Sequence, residues 1–275
     1  MIKIFLTVRN RLSTTKHFIT ALKNHSKFPH RIYIYDNLTN HRLKEHFDYW
    51  HELYKKGEIS QVTFTSEDST FRTFSKAATC NFFGLQHEQD LSKNQYSFLL
   101  FLDNDIILTP NFDEILKNAW EDVNKLGLKN IKVIGQLPGG INNRVKLNHK
   151  IAGFKAEEGI QGGSALWSVR PDFFRDVGIL NLEPLIGINK KHDQSYWELL
   201  HKSTGGKRYI LGLDHKLGVH MGHISGSICN KIGFDNDKKL LEKIKFEEQE
   251  DTIDKMSFEK FYDMVMNDSW ALNDW

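Results

Sequence analysis

Short apolar runs that stop on a polar or acidic residue recur through the first half of the chain. IKIFLTV at residues 2–8, RIYIYD at 31–36, QVTFT at 61–65, SFLLFLD at 97–103 and IKVIGQ at 131–136 each have the length and residue types of a strand. Between them, helical patterns are predicted over about 13–25 with Ser13 as the cap, 41–56, 74–86 with the small residues Ala77 and Ala78, and 111–126. Strands alternating with helices predict an α/β fold: a mixed, mostly parallel sheet flanked by helices, with ligands at the carboxyl ends of the strands. Asp36 and Asp103 both stand at such ends.

The second half has a different texture. Pro138, Gly139 and Gly140 open a long loop, after which GIQGGSALWSVRPDFF runs through Gly162 and Gly163 into a strand-like ALWSV and a helix started by Pro171. A helix is predicted over 192–201, and short strands over 208–213 and 216–220. The charged tail from Asp235, with helical patterns at 238–248 and 258–265 and the terminal aromatics Trp270 and Trp275, reads as a helical annex. Residues 1–230 are expected to form the main domain, in two parts that meet near 136, with 231–275 as a helical extension.

Composition narrows the class. With 275 residues, 40% hydrophobic and 26% charged, the chain can bury a full core. A formal charge of +2 on 37 basic and 35 acidic residues gives no extended field of one sign, which argues against a general nucleic-acid binder. Two cysteines, Cys80 and Cys229, do not make a disulfide framework. No apolar run approaches the roughly 20 residues that span a bilayer, and the first residues lack the layout of a signal peptide, so a cytoplasmic protein is expected.

The sharpest chemical feature is Asp103-Asn104-Asp105. On an extended segment the two acids would project to one side and Asn104 to the other, and two carboxylates held that close call for a cation, most simply a hard divalent metal. The same three residues also suit a turn.

This segment resembles the Asp-x-Asp motif of GT-A fold glycosyltransferases, similar to the family 2-type nucleotide-sugar transferases, and the likeness extends over most of residues 2–225. It implies a GT-A, Rossmann-like domain with 1–136 as its nucleotide-binding half and 137–230 as its acceptor and sugar half, and a divalent cation, Mn2+ or Mg2+, on Asp103 and Asp105. It implies donor contacts from Thr7, Arg9 and Arg11 after the first strand and a base contact from Asp36, which also suits a turn. Asn81 and Gly84 match the segment beneath the nucleotide, and Asp103 and Asn104 would also face the donor. Gly162, Gly163 and Trp167 resemble the sugar-pocket segment, although a strand tryptophan is also ordinary core. Asp193, in KKHDQSYW, matches the carboxylate that deprotonates the acceptor in inverting members, with His192 where Glu is commoner; Asp193 equally suits a helix cap. His220 or His223 would supply a third metal or pyrophosphate contact.

The implied activity is transfer of a sugar from a nucleotide-sugar donor, UDP-linked by expectation, to the hydroxyl of a glycan, glycolipid headgroup, protein or small molecule. A retaining transferase, a sugar-phosphate nucleotidyltransferase and a noncatalytic carbohydrate-binding protein of the same fold are the alternatives. VRNRLSTT after the first strand has no glycine, which counts against the nucleotidyltransferase.

Overall fold

Every second residue of β1 (Ile2–Val8) is aliphatic and buried, yet Lys3 and Phe5 between them are buried as well and Thr7 partly so, and this decides the architecture. In the computed structural model, which describes residues 1–37, 42–65, 79, 82–83, 97–136, 144–160, 166–171, 173–177, 201–220 and 250–267, β1 lies inside a sheet covered on both faces. Ile4, Leu6 and Val8 join one core with Ile32, Ile34, Leu100 and Leu102; Phe5 joins a second, aromatic core with Tyr33, Tyr35, Leu99 and Phe101. Side chains alternate across a strand, so a strand with buried residues on both parities needs two covered faces.

The sheet has nine strands in the order β3-β2-β1-β4-β9-β6-β10-β8-β7. These are β2 (His30–Asn37), β3 (Gln61–Thr65), β4 (Leu99–Asp103), β6 (Val133–Gln136), β7 (Val145–Lys146), β8 (Ala156–Gly159), β9 (Leu166–Val169) and β10 (Ile210–Leu213). β1 to β4 are mutually parallel, as are β6 and β10, while β9 runs antiparallel between β4 and β6, and β8 antiparallel to β10 and β7. A second, two-stranded sheet pairs β5 (Ile106–Leu108) with β11 (Gly218–His220) in antiparallel fashion.

Helices α1 (Leu12–His25), α2 (Leu43–Lys55), α3 (Phe112–Lys125) and α5 (Phe258–Asn267) cover the aliphatic face, supplying among others Phe18, Trp50, Leu116 and Phe261 to its core. The short helix α4 (Phe173–Val177) and Phe83 cover the aromatic face. The described part of the tail is therefore woven into the main core: Ile253, Phe261 and Val265 are buried there, and the Phe261 ring stacks on His17 at 4.2 Å.

Several local expectations change. The expected cap Ser13 is the second residue of α1, and Arg11 occupies the N-cap position in a left-handed conformation, φ 55°, with no capping side chain of its own. A capping partner arrives from far away: Glu250, almost fully buried, accepts the Ser13 amide at 3.0 Å, and its other oxygen accepts the Thr14 hydroxyl at 3.4 Å. A carboxylate at a helix N-terminus meets both orphan N–H groups and the positive end of the dipole. The second half holds two strands, β7 and β8, where only loop was expected. Of the helix expected over 74–86, residues 79, 82 and 83 are helical; 192–200 and 238–248 lie outside the described residues. Among the described residues no helix is long and apolar enough to cross a membrane.

Candidate active site

Register places the strand ends side by side. Thr7 of β1 lies opposite Asp103 of β4, and Val8 opposite Asp36 of β2, so the three neighbouring parallel strands end along one edge. The side chains there divide between the faces. Thr7 Oγ1 lies 2.7 Å from Thr79 Oγ1 on the aromatic side. The Asp36 carboxylate turns to the aliphatic side, fully buried, where its Oδ2 accepts the Trp50 indole N–H at 2.9 Å and the His46 Nδ1–H at 3.2 Å. Asp36 thus ties the end of β2 to α2, a fixing role the sequence did not announce.

Asp103 is the last extended residue of β4, and Asn104 and Asp105 do not continue the strand. Those two form the turn through which the chain leaves the large sheet at Asp103 and enters the small one at Ile106. Asn104 is the anchor: its amide donates to the Thr7 carbonyl at 3.1 Å, and its side-chain Nδ2 donates to the Asn10 carbonyl at 3.1 Å and to Thr15 Oγ1 at 2.8 Å. With Asn104 buried and held on three sides, the acid positions flanking it are fixed in place. The middle residue of the motif is a structural fastening rather than a spacer.

Asp105 is also nearly buried, and the Arg11 guanidinium is paired with its Oδ2. The backbone makes this meeting possible. Asn10 and Arg11 are consecutive left-handed residues, φ 51° and 55°, a conformation that costs a residue with a β-carbon about 1 kcal/mol. The Arg11 carbonyl accepts both the Thr15 amide at 2.9 Å and the Thr15 hydroxyl at 2.7 Å, which holds the turn. Arg9 is exposed beside it.

The small sheet brings the histidine strand to the same place. His220 of β11 is registered opposite Ile106, the residue after Asp105. Gln136, the last residue of β6, splices the two sheets: its Oε1 accepts the Leu217 and Gly218 amides at 2.8 and 2.9 Å, and its Nε2 donates to the Gly218 carbonyl at 2.9 Å. Gly218 has no room for a β-carbon, which would lie 2.9 Å from the Ile106 side chain, so β11 packs directly against the strand leaving the turn.

Trp167 lies in β9 opposite Phe101, 1% exposed and part of the aromatic core, with no face offered to a ligand in this arrangement. Asn81, Gly162, Gly163, His192, Asp193 and His223 lie outside the described residues, as does Gly84. Among the described residues no group of three or more His, Cys, Asp or Glu side chains converges as a ready-made metal cage.

No protein-family model matches the chain, and no curated protein does. Solved structures do. Staphylococcus aureus TarS 1–349 in complex with UDP is 15% identical, with 98% of this chain and 73% of that chain covered and a TM-score of 0.46. The mannosyltransferase PcManGT from Pyrobaculum calidifontis in complex with GDP-Man and Mn2+ is 13% identical, covering 76% and 53%, TM-score 0.45. GalNAc-T7 with UDP, GalNAc and Mn2+ is 12% identical, covering 78% and 42%, TM-score 0.46. Likenesses of this strength carry no conclusion about chemistry. The strand order stands by itself: the chain folds as a mixed, mostly parallel sheet with helices on both faces and acids at the carboxyl ends of its parallel strands.

Proposed function

We propose that the chain is a metal-dependent glycosyltransferase that moves a sugar from a nucleotide-sugar donor, UDP-linked, to an acceptor hydroxyl. The observation that supports it most is the anchored turn: two acids fixed beside Thr7 and Arg11 at the ends of parallel strands, with the His220 strand registered against them. This donor set suits Mg2+ or Mn2+, because such ions are commonly held by one or two carboxylates and complete their shell with water and substrate phosphate oxygens. Asp105 and Asp103 would hold the ion, with His220 or His223 as a further contact. A divalent ion there supplies Lewis-acid stabilisation of the leaving diphosphate, worth several kcal/mol.

The chain's own groups do the rest in this reading. Thr7, Arg9, Arg11 and Asn81 orient the donor, with Asn104 acting through the turn it fastens; Asp36 acts on the base or through the strand end it secures; Gly162 and Gly163 let the backbone approach the sugar. Asp193, with His192 beside it, takes the proton from the acceptor hydroxyl, which gives inversion. The solved structures similar in fold include proteins bound to UDP or GDP-Man and to Mn2+, in keeping with this assignment.

Calorimetry of UDP with Mn2+ and then with a chelator tests the reading. Binding is expected to require the cation, and Asp193→Asn is expected to keep UDP binding while losing about 10² to 10⁴ in transfer rate. Equal UDP affinity in chelator would remove the metal, and a fully active Asp193→Asn enzyme would remove the base.

A further inference from the structure

Asp105 already has a cation. Its partner Arg11 is 15% exposed and Asp105 9%, so the pair sits largely out of water, where a guanidinium–carboxylate contact is poorly screened. Arg11 reaches it from a strained left-handed N-cap fixed by Thr15, and Asp105 is fixed by the Asn104 anchor. Two rigid supports that aim opposite charges at one another mark a designed contact, since backbone strain of this kind persists only where its surroundings enforce it.

We propose that Arg11 is a resident counter-ion which a divalent cation must displace from Asp105, and that the displaced guanidinium makes cation binding depend on an accompanying diphosphate. This rests on the reading of Asp103 and Asp105 as the metal carboxylates. The charge count gives the reason. With Arg11 in place, Asp105 is neutralised. A divalent ion neutralises Asp103 and Asp105 together and leaves the Arg11 charge uncompensated in a largely buried position, which is unfavourable. An anion that follows the metal restores balance, and a diphosphate offers planar, bidentate oxygen pairs that suit a guanidinium. The cation alone should therefore bind weakly, and cation and diphosphate should bind cooperatively, each raising the affinity of the other by the same factor.

Mn2+ binding to the full chain, followed by electron paramagnetic resonance without nucleotide, reads this independently of turnover. Arg11→Gln is expected to bind Mn2+ alone about tenfold more tightly than wild type, while binding UDP at saturating Mn2+ about tenfold more weakly. Arg11→Lys, which keeps the charge, is expected to stay near wild type for Mn2+ alone. Wild type itself gives a second measurement should Arg11→Gln fold poorly: UDP should raise Mn2+ affinity, whereas uridine, which has no phosphate, should not. Unchanged or weaker Mn2+ binding by a folded Arg11→Gln, or equal enhancement by uridine and UDP, overturns the counter-ion role and leaves the metal site standing. Absence of Mn2+ binding in wild type and Arg11→Gln alike, with and without UDP, overturns the metal reading and this proposal with it.

Discussion

Trp50 and His46 both donate to one oxygen of Asp36, so this acid has a fold-supporting task whatever it does for a nucleotide. Two substitutions separate the tasks. Asp36→Ala leaves a buried indole N–H and a buried imidazole N–H without their acceptor, at a cost of about 3 kcal/mol, and is expected to weaken UDP binding as well. Trp50→Phe removes one donor and leaves the carboxylate, so about 2 kcal/mol of stability should be lost with UDP affinity unchanged. Urea midpoints and UDP titrations check both; a Trp50→Phe protein that lost UDP affinity as fully as Asp36→Ala would make Asp36 a purely structural acid. At this scale the sequence was a partial guide. An acid at the end of RIYIYD is visible in a linear pattern, but the face it turns to depends on which residues of α2 come to rest beneath it. Arg11 was legible as a candidate; its left-handed backbone, and hence its grip on Asp105, was not, because an arginine carries no signal for that conformation.

Helix α1 shows how an element can be legible while its closure is not. The apolar periodicity of residues 13–25 marks the helix, and the structure sets it at Leu12–His25. Its cap is a carboxylate 237 residues away, which no local rule finds. Glu250→Ala strips the Ser13 amide and the Thr14 hydroxyl of their acceptor and the helix of a favourable charge, and a loss of about 1–3 kcal/mol is expected. Glu250→Gln keeps one acceptor oxygen and should lose less. Denaturant unfolding orders the two, and equal stability of Glu250→Ala and wild type would show that solvent caps the helix as well. The turn at 103–105 was ambiguous for a related reason: strand and turn are both compatible with DND, and the choice is made by Asn104 finding Thr15 and the Asn10 carbonyl on another element. The long strands β1, β2 and β4 and the helix α3 were plain from pattern, whereas β7 and β8 are two and four residues long, below what periodicity can resolve.

Across the whole molecule, the C-terminal helix is held to α1 through His17, whose ring stacks on Phe261 and donates from Nε2 to the Ile253 carbonyl at 3.1 Å. Burial holds its pKa below the ordinary histidine value, against the raising effects of the Ile253 carbonyl, Asp254 and Glu250 and with the lowering effect of Lys16. The neutral ring is thus the folded form. Stability is full above the unfolded pKa, about 6.5, and falls as pH drops through it, because the unfolded chain takes up a proton the folded one resists; the loss stops once the folded pKa is reached. Urea midpoints between pH 8 and 5 should fall less steeply in His17→Phe, which keeps the stack and cannot titrate; parallel curves would assign the pH dependence to other groups. The contact between Ser13 and Glu250 also has a consequence in time. A chain leaving the ribosome presents β1, α1 and the Asn104 anchor long before residue 250 exists, so the first helix must wait uncapped through the synthesis of 237 further residues. The first helix therefore cannot reach its capped form ahead of the rest, and that closure waits until nearly all of the sequence shown here has been made.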